Sequence, residues 1–154
     1  FRRSDVVITG EIFNPSLYPF IDLEHGGSIG GEIAALNELL EITIPANKQE
    51  GGTYVIPARG RISDEADVSE YRDMVTIVRD RVRALIGKKM TLEQVKAERP
   101  TLDYDGRYAG TEGPWTSDRF IEAVYKSLSQ AAAAQAPRAT PAAPAARPTG
   151  GQRR

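Results

Sequence analysis

Two short β-branched runs constrain this chain most. Asp5-Val6-Val7-Ile8-Thr9-Gly10 and Thr53-Tyr54-Val55-Ile56-Pro57 each read as a buried strand closed by glycine or proline. Between them, Ile29, Ile33, Leu36, Leu40 and Ile44 recur at helical spacing. Ser28 is the expected N-cap of that helix, and Pro45 ends it. Strand, helix, strand is an α/β arrangement. Two strands are nevertheless too few to complete a sheet.

Helices follow. Ser63 or Asp64 is expected to start the longest, running to about Ile86 with Val68, Tyr71, Val75, Val78, Val82 and Leu85 as one apolar stripe. Gly87 closes it. Thr91-Leu92-Glu93-Gln94 has the capping-box spacing of a short helix that Pro100 stops. Residues 101–116 read as irregular. Ser117 then caps a last helix through Ser129, with Phe120, Ile121, Val124, Tyr125 and Leu128 inward.

Composition changes abruptly near residue 130. Residues 131–154 hold ten Ala, four Pro and four Arg, with no acidic, aromatic or branched aliphatic residue. Such a segment cannot bury enough apolar surface to offset its ordering entropy, so a disordered tail is expected there. The tail carries +4 of a total of −1, leaving −5 on residues 1–130. Four scattered arginines without aromatics make nucleic acid an unlikely partner. No apolar run reaches the ~20 residues of a membrane-spanning helix, and no signal segment is visible, so a soluble chain with no membrane partner is expected. The chain opens at Phe1, close to a strand, which points to a partial chain.

The 154 residues contain no cysteine and one histidine. Disulfides, thiolate nucleophiles and cysteine-ligated zinc are therefore excluded, as is a histidine-rich metal site built from this chain alone. Glu11 follows the first strand beside Gly10, at a strand end where a carboxylate can bind metal or act as a base; the residues alone favour a plain surface glutamate in a loop. Arg59 and Arg61 follow the second strand and suit an anion, unless nearby acids such as Asp64 and Glu65 neutralise them. Asp103-Tyr104-Asp105-Gly106 begins like a calcium loop. Arg107 and Pro114 then occupy ligand positions, so the tyrosines are expected to pack and the aspartates to cap turns. His25 is expected to face solvent. Gly26 to Gly31 lacks the Gly-Lys-Ser/Thr of a phosphate loop.

Taken in order, Thr9-Gly10-Glu11-Ile12-Phe13, Pro19-Phe20-Ile21-Asp22-Leu23 with Gly26-Gly27-Ser28, Ile56-Pro57-Ala58-Arg59-Gly60-Arg61 and Asp64-Glu65-Ala66-Asp67-Val68 form a consistent set. With Thr91–Lys96, Leu102–Tyr108 and Trp115-Thr116, they resemble the C-terminal half of a metallo-β-lactamase-fold hydrolase over residues 4–129. The resemblance implies an αββα sandwich, with residues 1–130 as a partial domain. It also implies one or two zinc-type ions at a sheet edge, whose bound water attacks an ester, thioester or amide. In the family, the Glu11 position carries a bridging aspartate and the Arg59 position a histidine ligand; Ala58 replaces a glycine. The histidine-rich first-half motif is absent. Guanidinium has no lone pair to offer and would repel a cation. The expectation is therefore a hydrolase by lineage that lacks the ligands for an autonomous site: either part of a longer protein or a remnant. Glu11 alone keeps a ligand type, and zinc is not expected to be retained. The alternative is a non-catalytic module that binds or self-associates through an exposed sheet face.

Overall fold

The structure, a computed structural model, describes residues 5–110 and 115–135. It is mixed α/β, with a two-stranded parallel sheet and five helices among those residues. Strand β1 (Val6–Gly10) pairs with β2 (Tyr54–Pro57), Val7 opposite Val55 and Ile8 opposite Ile56. Helix α1 (Ile29–Ile42) forms the crossover between them, as a parallel pair requires. Ser28 caps it, accepting from the Gly31 N–H at 3.0 Å. Its buried line is Ile29, Ile33, Leu36 and Leu39. Leu40 is only half-buried and Ile44 lies beyond the helix, so the stripe turns more toward Leu39 than the spacing predicts.

Helix α2 (Glu65–Gly87) is the spine of the core. Val68, Tyr71, Met74, Val75, Val78 and Val82 are buried along it, as the stripe predicts with Met74 added. Asp64 and Asp67 close a capping box at its start. Helix α3 (Leu92–Ala97) opens on the expected Thr91–Gln94 box. Helix α5 (Ser117–Gln135) packs on α2, α3 and α1, burying Phe120, Ile121 and Val124.

Three expectations change. Residues 101–116 are not wholly irregular, because Leu102–Tyr108 form helix α4. Asp and Gly letters masked a helical pair, Tyr104 and Tyr108, whose packing overrides propensity. The cap of α5 is Thr116 rather than Ser117: its hydroxyl accepts from the Arg119 N–H at 3.4 Å. Helix α5 also continues through Ala131–Ala134 to Gln135, since alanine is the strongest helix former. The rest of the expected disordered tail, residues 136–154, lies outside the described residues. No helix among the described residues is long and apolar enough to cross a membrane.

The helices cover one face of the sheet. Val55 is fully buried there, with Val7 packed against the core. Pairing puts Val6, Ile8, Tyr54 and Ile56 on the opposite face, where Ile8 is 61% and Tyr54 52% exposed. A parallel sheet is normally covered on both faces.

Five rings join the segment after β1 to the helices. Phe13 meets Tyr71 edge-on at 5.3 Å, and Tyr18 stacks on Phe120 at 4.7 Å. Tyr108 lies 5.7 Å from Tyr71 and 5.9 Å from Tyr18. Phe120→Ala should cost about 3–5 kcal/mol in urea unfolding. Tyr71→Phe, which removes only a hydroxyl, should cost about 1 kcal/mol.

Candidate functional site

The candidate site lies where both strands end. Beyond Gly10, which takes φ +60, the chain turns back through a bond from Ile12 N–H to the Thr9 carbonyl at 3.3 Å. Beyond Pro57, Ala58 N–H donates to the Gly10 carbonyl at 2.9 Å and ties the strand ends together. Gly60, at φ +100, then lies on Pro15; a Cβ there would come within 2.8 Å of the proline ring. The turn closes as Ser63 exchanges two backbone bonds with Val55, at 2.8 and 2.9 Å.

This framework brings Glu11 and Arg59 together. Arg59 Nε is 3.5 Å from Glu11 Oε1, with both side chains mostly exposed. The strand-end position expected from sequence holds for both residues, and the structure adds an ion pair between them. Asp64 and Glu65 were the expected acids for the arginines, and neither takes that role. Arg61 instead grips Asp67 through both terminal nitrogens. That carboxylate also caps α2, and its bond to Arg61 lowers its pKa. Arg61 is thus a brace between the strand-end turn and the start of α2. The Asp64–Asp67 cap puts Asp67 one helical turn into α2, where it can reach Arg61.

The other candidates are elsewhere. Asp103 and Asp105 sit in α4, each with its own work. Asp103 pairs with Arg81 at 2.7 Å. Asp105 Oδ1 accepts from the Tyr18 hydroxyl at 2.9 Å and the Ser117 hydroxyl at 2.7 Å. Burial alone would raise the Asp105 pKa, but these bonds hold it below the usual carboxylate range. The aspartates tie helices together instead of capping turns. His25 is exposed, as expected. It is not free of a partner: Nδ1 lies 2.8 Å from Asp22 Oδ2. That contact lowers the Asp22 pKa. Gly27 makes this turn tight, because a Cβ would fall 2.6 Å from the Asp22 carbonyl oxygen. Phe20, His25 and Trp115 line a cleft of about 530 Å³ against α5.

The strand ends do not fit a metal. Glu11 offers one carboxylate, but Arg59 offers a cation without a lone pair, already paired to that carboxylate. Among the described residues no group of three or more His, Cys, Asp or Glu is placed to hold an ion. The arrangement can hold opposite charges together at the surface, and a pair this exposed contributes little stability.

One functional group escaped the sequence reading. Glu32, in the first turn of α1, is largely buried, and its Oε1 has no hydrogen-bond partner among the described residues. It borders a cavity of about 310 Å³ beneath the Asp22–Ser28 turn. Burial pushes its carboxyl up to about 7. The signal was its position, between Ile29 and Ile33 on the inward side of the helix.

The fold holds the Glu32 proton more tightly than the unfolded chain does. Its contribution to stability is therefore full below about pH 4.5 and is lost as pH rises through about 7. Glu32→Gln should leave stability unchanged near pH 4 and raise it by about 3 kcal/mol at pH 8, read from urea unfolding at both pH values. Arg59→Ala should shift stability by less than about 1 kcal/mol in the same assay. Compared with protein-family models, curated proteins and solved structures, the chain matches none.

Proposed function

We propose that this chain is the C-terminal half of a metallo-β-lactamase-type αββα sandwich in which an ion pair stands where the family places metal ligands. In this reading it is a hydrolase by lineage and non-catalytic as an isolated chain. The observation that carries it is the Glu11–Arg59 contact of 3.5 Å at the ends of paired parallel strands. Those two positions are separated by 48 residues in sequence, and only a fold that sets the two strand ends side by side makes them neighbours. The resemblance assigns them to one metal centre, so adjacency is what it requires of them. The substitution of a cation for a neutral ligand then accounts for the carboxylate's partner. A longer protein carrying the histidine-rich half would supply further ligands, but Arg59 would still stand among them.

The exposed sheet face favours a second element of the proposal. Ile8, Tyr54 and Ile62, all more than half exposed, lie on or beside the strands. Apolar surface of this kind marks an association surface. The alternative reading is then a non-catalytic module that binds a partner or self-associates through this exposed sheet face.

Zinc titration of the purified chain by calorimetry, with an ester, thioester and amide panel, tests the reading. The expected result is no stoichiometric zinc uptake and no turnover that a chelator removes. Stoichiometric tight zinc together with chelator-sensitive turnover would overturn it. Arg59→His in the same titration should increase zinc uptake over the parent, because it replaces a fixed cation with an imidazole beside Glu11.

A further inference from the structure

The turn over residues 22–27 is tied to itself more than to the rest of the molecule. Gly27 N–H donates to the Asp22 carbonyl at 2.7 Å, and Gly26 N–H to the Leu23 carbonyl at 3.4 Å. The Asp22 carboxylate takes the His25 amide at 3.2 Å and the His25 ring at 2.8 Å. Among the described residues, no hydrogen bond runs from this turn to a helix. Its seat is apolar: buried Ile21 precedes it, and Phe20 meets Trp115 at 4.9 Å. Gly26, at φ +85, and Gly27 join it to the start of α1. Such a pair can absorb the backbone rotation of a hinge.

Glu32 lies beneath this turn. It borders the cavity of about 310 Å³ together with Phe20, Asp22 and Ser28, and its Oε1 is buried without a partner among the described residues. None of the described residues lining the cavity is a cation. From the turn, Glu32 faces Asp22, already held by His25. From α2 it faces Tyr71, whose hydroxyl is given to the Leu17 carbonyl, while Arg72 is held by Asn37 and Asp73. From α5, Ser127 accepts from the Ile29 amide, and Arg119, Glu122 and Lys126 line the outer cleft instead of this cavity. An ionised Glu32 would therefore have no donor and no water, with a second negative charge, Asp22, on the same cavity. The neutral acid avoids both, and burial keeps it neutral up to about pH 7.

We propose that Glu32 is a proton-operated latch: protonated, it lets the turn lie closed over the cavity, and ionised, it drives the turn outward about Gly26 and Gly27 so that water reaches the carboxylate. The turn is also one wall of the 530 Å³ cleft, through Phe20, Asp22 and His25, with Trp115 and α5 opposite. Swinging the turn out removes that wall, so the loss of one proton opens the cleft. The bond from Gly27 to Asp22 spans the hinge and breaks in the swing, which makes the Gly27 amide its reporter.

The test follows amide hydrogen exchange of the 154-residue chain by NMR at pH 5.5 and pH 8, each rate divided by its intrinsic value at that pH. The corrected Gly27 rate should rise about 30-fold across this range, as follows when the Glu32 carboxyl sits at about 7 with the turn closed and at 4.5 with it open. Gly27 should also exchange at least about tenfold faster than Val78, buried within α2, because the opening is local. In Glu32→Gln the corrected Gly27 rate should be the same at both pH values. In His25→Asn, which removes the only imidazole, the parent's rise should persist. A carbon-13 titration of the Glu32 carboxyl in the parent needs no variant and should show a midpoint at about 7. A midpoint near 4.5, no rise in the parent, or Gly27 protection equal to that of Val78 would overturn the latch. So would a rise that survives Glu32→Gln, or one that disappears in His25→Asn and thereby belongs to the imidazole.

Discussion

Tyr71 lies in the N-terminal third of α2 with no exposed surface, and the start of the segment after β1 is built on it. Phe13 meets its ring edge-on, Tyr108 reaches it from α4, and its hydroxyl donates to the Leu17 carbonyl at 3.1 Å. Burial of the ring raises the pKa of that hydroxyl, so it remains a donor across the ordinary pH range. Tyr71 holds the first part of the loop through Phe13 and Leu17, while Tyr18 on Phe120 and Asp105 seats the part that follows. The path out of β1 is set here, and with it the direction in which Glu11 leaves the sheet.

The strand-end turn has its own brace. Arg61 on Asp67 fixes the far side of the turn to α2, and Gly60 on Pro15 fixes its near side to the loop. Arg59 is thus presented from a turn held at both ends. Its contact with Glu11 is energetically minor, yet the framework that places it is well supported. That is the reverse of a surface ion pair that organises a loop: here the loop organises the pair.

Much of this was legible in the residues. The strand-helix-strand order, the α2 stripe and the Thr91–Gln94 capping box follow from periodicity and side-chain chemistry, which act locally. Helix α4 was hidden because Asp103, Asp105 and Gly106 speak for a turn, while the reason for helix is tertiary: Tyr108 must reach Tyr18 and Tyr71. The site was half legible. Strand ends marked Glu11 and Arg59 separately, but a contact across 48 residues depends on register, and a strand's partner is not written in its own letters. Arg61 shows the same limit: three acids lie within six residues, and cap geometry selected Asp67 from among Asp64, Glu65 and itself.

The molecule has one indole, Trp115. It stands just before α5, with Phe20 against it at 4.9 Å, and its buried Nε1 has no partner among the described residues. The tyrosine cluster, by contrast, belongs to the core. Emission from the indole therefore reports whether the Phe20–Gly27 turn is seated on α5, while signals from Tyr18, Tyr71 and Tyr108 report the interior. The chain carries two optical channels for two layers of its structure, and loosening of the turn can be watched separately from melting of the fold.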